Sequence, residues 1–99
     1  MVVHELKTWP EPFQAILDGR KTFEIRQDDR GGFAEGDVLK LEEYVPPPAG
    51  DLGVGQYTGR WIRCTVGYVT RGWGLPPPLA VLALLKISSG TSPTGSEVK

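Results

Sequence analysis

A chain of 99 residues, with 39% hydrophobic and 9% aromatic side chains, makes one globular domain with a modest core and little surface left for a second function. Eleven Lys and Arg against twelve Asp and Glu give a net charge of −1 and a pI near 5.8, which argues against a grip on long nucleic-acid duplex. A single cysteine, Cys64, excludes an internal disulfide and any multi-cysteine metal site, and no apolar run reaches the ~20 residues of a membrane span, so the chain reads as soluble, reduced and cytoplasmic, without a signal peptide.

Val2 to Lys7 reads as a short strand with His4 and Leu6 on one face and Val3, Glu5 and Lys7 on the other. In TWPEPFQAILDG, prolines suit a first helical turn, Glu11 complements the helix dipole, and Phe13, Ile16 and Leu17 form an i, i+3, i+4 stripe. Gly19 ends that helix because glycine takes a positive φ at little cost. Arg20 to Arg26 alternates as a strand, with Phe23 and Ile25 expected in the core and Thr22, Glu24 and Arg26 sharing the opposite face. After the polar loop QDDRGGFAEGD, the segment VLKLEEY alternates again and turns Leu39 and Leu41 inward.

Residues 45–60, VPPPAGDLGVGQYTGR, read as an irregular loop of a length that serves for lids, binding loops or insertions. WIRCTVGYVT is a further strand, in which Cys64 is a packed thiol, and RGWGLPPP is a turn carrying an aromatic. LAVLALLKI, a continuous apolar run of strand length, reads as the central buried strand, with a short helix the alternative that periodicity leaves open, and residues 88–99 are expected to be a disordered tail that leaves 1–87 as the domain. Thirteen glycines and nine prolines favour such a strand-rich chain. The expected fold is therefore mainly β (α+β), a compact barrel with one short N-terminal helix and a long Pro/Gly loop, its closure hiding the strand edges.

The charge is unevenly spread: residues 1–44 hold six basic and ten acidic side chains, and residues 45–99 hold five and two, which leaves room for a local cationic pocket. The run HELKTWPEPFQAILDGRKTFEIRQDDRGGFAEGDVLKLEE, with a YTGR strand entry and a RGWGL turn, resembles small uncharacterised bacterial and phage proteins of the ASCH group, DUF3850-like, within the PUA-like superfamily. The resemblance runs from about residue 3 to residue 87, and the signature G-x-K-x-x-E-x-R followed by G-D is matched by Gly19, Lys21, Glu24, Arg26, Gly36 and Asp37. It implies a PUA-like β-barrel whose cleft takes RNA or nucleotide-like ligands, without metal or redox cofactor.

On that basis the GRKTFEIR strand is expected to line the cleft. Arg26 and Lys21 can hold a phosphate or carboxylate, and Glu24 can accept from the exocyclic amine of a base, with Thr22 on the same face. The plainer reading is a Glu24 salt bridge to Lys21 or Arg26 on a solvated strand face, worth at most ~1 kcal/mol. His4 and Lys7, which resemble the family's H-x-L-K start, are placed at the cleft, with a structural imidazole the alternative for His4. Arg30 either reaches a phosphate or shares a turn with Asp29. Tyr57 and Trp73 are candidate stacking platforms and Arg71 a nearby cation, whereas Trp9 and Trp61 read as packing.

An enzymatic alternative comes with the resemblance. One ASCH-like branch consists of amidohydrolases that deacylate modified cytidine with a lysine, a threonine and a distant glutamate. Lys21 matches the lysine, but Glu24 stands where the threonine belongs, and Thr22 is displaced by two strand residues, ~6 to 7 Å, beyond the ~3 Å reach of an activating base. A variant with Glu24 as general base for water and Lys21 stabilising an oxyanion is chemically sound. The leading expectation is a module that binds a nucleotide, nucleoside or short RNA, of a phage-type nucleotide-sequestering kind in the host cytoplasm. The amidohydrolase on N4-acylated cytidine, with Lys21, Glu24 and Thr22, is the second reading, and a protein-interaction adaptor using the 45–60 loop is the third.

Overall fold

The computed structural model describes residues 1–28 and 32–92. Six elements follow one another: β1 (Val3–Thr8), α1 (Pro10–Leu17), β2 (Phe23–Gln27), β3 (Val38–Val45), β4 (Gln56–Arg71) and β5 (Leu79–Thr91). The strands make one five-stranded sheet in the order β1-β3-β4-β5-β2. β1 runs parallel to β3 and the other neighbouring pairs are antiparallel. The mainly β, α+β architecture expected from the alternating segments is the one that forms.

α1 starts where the sequence places it, because Pro10 and Pro12 occupy a first turn whose N–H groups have no helical partner to lose. Its Phe13 and Ile16 are fully buried against the concave side of the sheet, beside Leu39, Leu41, Ile62 and Leu82. Gly19 ends it at φ +79°, its N–H donating to the Ile16 carbonyl at 3.1 Å. The N–H groups of Arg20 and Lys21 both turn back to the Ala15 carbonyl at 3.0 Å, which aims the chain from the helix directly into β2.

The sheet is curled. Arg26 on β2, one end of the strand order, donates through Nη2 to the Lys7 carbonyl at 2.9 Å and to Thr8 Oγ1 at 3.1 Å, and both acceptors belong to β1 at the other end. The result is a half-barrel. The expected closure of strand edges by a backbone ladder is not what holds it, since β1 and β2 share no ladder and meet through side chains over α1.

The facing of β2 is the reverse of the expectation. Phe23 and Ile25 are 41% and 44% exposed, and Glu24 is the buried residue, at 4%. The register explains the inversion: Glu24 pairs with Leu82 and Arg26 with Ala80, and those two β5 residues point into the core, so their partners do too. Phe23 and Ile25 stand opposite Ala83 and Val81 on the convex side. Alternation assigns side chains to two faces; only the pairing decides which face is inside.

Two boundaries also move. β4 begins at Gln56, so the long loop ends before it, and β5 continues through Ser88, Ser89 and Gly90 to Thr91, paired with Arg63, Ile62, Trp61 and Arg60. Gly90 is needed there, because a Cβ would lie 2.5 Å from the Trp61 ring. The domain thus extends past residue 87, and the expected tail beyond Ser92 lies outside the described residues. Cys64 is buried as a packed thiol, pushed up to about 11 first by burial and then by the charge of Glu24.

Candidate functional site

The curl leaves a seam between the free edges of β1 and β2, and its floor is made by the signature strand. Glu24 Oε1 is in contact with Lys21 Nζ, and Glu24 Oε2 accepts from Arg26 Nη2 at 3.0 Å. Lys21 Nζ also donates to the Phe23 carbonyl at 2.8 Å. These are not ion pairs on a solvated face: the side chains of Lys21, Glu24 and Arg26 are 19%, 6% and 25% exposed. Burial makes the compensation obligatory, because a buried carboxylate stripped of one cation retains its desolvation cost without the attraction that offsets it.

Arg26 is the hinge of the arrangement. One nitrogen, Nη2, serves all three acceptors from Glu24, Lys7 and Thr8, while Nε and Nη1 make no hydrogen bond among the described residues. Arg26 also lines both cavities of the seam. The smaller, about 270 Å³, lies toward the start of α1 and is bordered by Lys7, Thr8, Trp9, Pro12 and Glu24. The larger, about 770 Å³, lies on the other side and is bordered by His4, Leu6, Asp28, Phe33 and Leu79. Lys7 and Arg26 against the single carboxylate of Glu24 give the smaller cavity a net positive lining able to receive an anion.

The remaining predicted residues divide. His4 is both structural and in the seam: its Nε2 meets Asp37 Oδ2 at 2.9 Å and its ring packs 4.6 Å from Phe33, yet it borders the larger cavity. Lys7 places Nζ 4.5 Å from the centre of the Tyr44 ring, which in turn meets Tyr57 edge-on at 5.0 Å. Tyr57 itself belongs to a hollow of the proline loop and to another beside Glu42 and Trp61 rather than to the seam. Thr22 is exposed, makes no side-chain hydrogen bond among the described residues, and contributes its carbonyl to the Leu84 N–H at 3.0 Å. Arg71 is taken up by contact with Asp28, and so is not the free cation expected beside a base. Trp73 is 86% exposed at φ +56°, with its indole N–H donating to Thr70 Oγ1 at 2.8 Å, outside both cavities. Asp29 and Arg30 lie outside the described residues.

Sequence reasoning missed three polar anchors. Asp37 accepts from His4 and from the N–H groups of Val2 at 3.1 Å and Ala34 at 3.0 Å; the His4 bond, foremost, holds its carboxyl below the usual range despite burial. Its place after Gly36 in the signature was visible, but the signal pointed to a turn. Glu43 is buried at 5% and accepts from Arg60 Nε and Nη2 at 2.8 and 2.9 Å and from Thr58 Oγ1 at 2.7 Å, and the Arg60 bonds keep its pKa low. A register shift between Glu42 and Tyr44 brings Thr58 and Arg60 opposite it, and no local pattern announces that irregularity. Thr8, buried at the end of β1, is the third, as the acceptor that helps hold Arg26 across the seam.

Residues 3–84, which include both edge strands and the whole seam floor, match the model of a family described as Domain of unknown function (DUF3850). The chain belongs to this family. DUF3850 membership therefore covers every element except the end of β5. A relative in Escherichia phage P2, the "Uncharacterized 12.9 kDa protein in GpA 3'region", is 34% identical over 68 residues, or 69% of this chain and 54% of that protein. The chain thus spans about half the length of this phage relative. Among the described residues of the DUF3850 domain, no three His, Cys, Asp or Glu side chains gather as a metal site, and no helix is long and apolar enough to cross a membrane.

Proposed function

We propose that the seam binds a nucleotide, a nucleoside or a short stretch of RNA, as in the ASCH group of the PUA-like superfamily, in which we place this chain. One observation carries the reading: Arg26, fixed through Nη2 to both walls, keeps Nε and Nη1 without a partner among the described residues while lining both cavities. A guanidinium already oriented loses little freedom on binding a phosphate, and Nε and Nη1 each offer a separate charge-assisted N–H to an anionic oxygen. Lys7 adds charge at the mouth, and Trp9, 61% exposed beside the smaller cavity, offers a flat apolar surface there. A phage-type protein that sequesters a host nucleotide fits a pocket of this size and sign. Calorimetry with nucleosides, nucleotides and short RNAs tests it: saturable binding that weakens in Glu24→Gln and Arg26→Ala supports the reading, and silence toward the whole panel removes it.

The contact between Lys21 Nζ and Glu24 favours a second reading, an amidohydrolase on an N4-acylated cytidine in which Glu24 activates water. Thr22 stands exposed and apart, so the threonine mechanism is not part of it. Intact N4-acetylcytidine after prolonged incubation supports the binding module. Turnover that disappears in Lys21→Ala establishes the enzyme instead.

A further inference from the structure

The larger cavity has a polarity of its own that the anion site does not account for. Asp37 is held ionised and can only accept, so the His4 nitrogen that meets it, Nε2, is the one that carries a proton. In the neutral ring this leaves Nδ1 as a lone-pair acceptor, and Nδ1 has no protein partner among the described residues although His4 borders the cavity. The ring is fixed in orientation by Asp37 on one side and Phe33 on the other. The same cavity is bordered by donors: Nε and Nη1 of Arg26 and the side-chain amide of Gln27, none of which makes a hydrogen bond among the described residues. Leu6, Ile25, Phe33 and Leu79 supply apolar walls. Glu5 at the border makes this end unfavourable for phosphate, and Asp28 is already committed to Arg71 and to the Phe33 N–H. The volume, about 770 Å³, lies in the ~300–1,000 Å³ range of small-molecule sites.

We infer that this cavity is a base subsite for a uracil-type ring, in which the imide N–H donates to His4 Nδ1 and the flanking carbonyl oxygens accept from Arg26 and Gln27. The inference rests on the nucleotide-binding reading and deepens it: Arg26 divides the seam, with phosphate on the Lys7 side and base on the His4 side. A uracil face presents acceptor, donor, acceptor, and the cavity presents donor, acceptor, donor. Cytosine offers a ring lone pair where uracil offers an N–H, so it sets two lone pairs against each other at His4.

The test uses the unmodified protein and three probes in calorimetry: uridine 5′-monophosphate, its N3-methyl analogue and cytidine 5′-monophosphate. Tighter binding of the uridine nucleotide than of both others, by tenfold or more, is the expected result, because one of them lacks the N–H and the other replaces it with a lone pair. Nitrogen-15 spectra of the His4 ring supply a second readout: Nδ1 shifts on adding the uridine nucleotide and does not on adding inorganic phosphate. Phe33→Leu, which keeps the His4–Asp37 pair, lowers uridine affinity and leaves phosphate affinity unchanged. Equal affinity for all three nucleotides, or a preference for cytidine, overturns the base subsite and leaves the nucleotide-binding seam standing. Failure of all three to bind removes the base subsite, and the nucleotide-binding seam falls with it only if the wider panel of nucleotides and short RNAs is silent as well.

Discussion

Arg26 Nη2 lies 2.9 Å from the main-chain oxygen of Lys7, and this bond joins the two strands that stand farthest apart in the order of the sheet. The same nitrogen reaches Glu24 Oε2 at 3.0 Å, so one side chain both closes the fold and compensates the acid beneath it. The fold and the proposed binding seam therefore share this one side chain.

Arg26→Ala should therefore cost both. With Lys21 still on Glu24 Oε1, the loss of one partner of a buried charged group is expected to lower unfolding stability by about 1–3 kcal/mol, read from urea denaturation. Arg26→Lys restores the charge but not the planar array of donors, so stability should recover more than the proposed nucleotide affinity does. An Arg26→Ala variant as stable as the parent shows that the seam is not held as described.

Acid should destabilise the protein through two carboxylates. Asp37 and Glu43 are held below their ordinary values by His4 and by Arg60 respectively, so in the folded state they release protons more readily than in the unfolded chain. Their contribution is complete above the ordinary Asp and Glu values of ~4 and disappears as pH falls through the lower folded values. Denaturation midpoints measured from pH 7 down to pH 3 should fall most steeply below pH ~4. Asp37→Asn and Glu43→Gln should each make the curve shallower, and an unchanged slope in both variants contradicts the assignment.

Cys64 should be inert in the native protein. Burial pushes its thiol up to about 11, so almost no thiolate exists near neutrality. Thiol titration at pH 8 should find no reactive group until denaturant is added, after which one equivalent reacts. Prompt native-state labelling means that the strand is more open than its burial indicates.

The reversed facing of β2 separates two kinds of substitution. Phe23→Ser and Ile25→Ser, on the half-exposed convex side, should each cost about 1 kcal/mol or less, while Leu82→Ala, fully buried opposite Glu24, should cost about 2–5 kcal/mol. Equal penalties in thermal melts at these positions argue for the opposite register.

The outline of the fold was legible because its signals are local. Pro10, Pro12 and Gly19 mark the ends of α1, and the period of two marks each strand. The signature residues Lys21, Glu24 and Arg26 were legible as a group for the same reason, since alternation puts two of them on one face and the helix end puts the third beside them. What was hidden depends on partners distant in the chain. Glu24 is inward only because it pairs with Leu82, and Glu43 is satisfied only because a register shift brings Thr58 and Arg60 to it. Thr8 gave no sign of its role, because its partner comes eighteen residues later and from the opposite edge of the sheet. The apparent freedom of Arg71 failed likewise, its partner Asp28 lying 43 positions away.

The strand order has a consequence for biosynthesis. β1 and β2 leave the ribosome close together, yet neither pairs with the other: the first waits for β3, and the second for β5, the last strand among the described residues. Lys21, Glu24 and Arg26 are thus translated long before the scaffold that orients them, and a nascent chain arrested ahead of Leu79 carries the full signature without the strand that turns Glu24 inward.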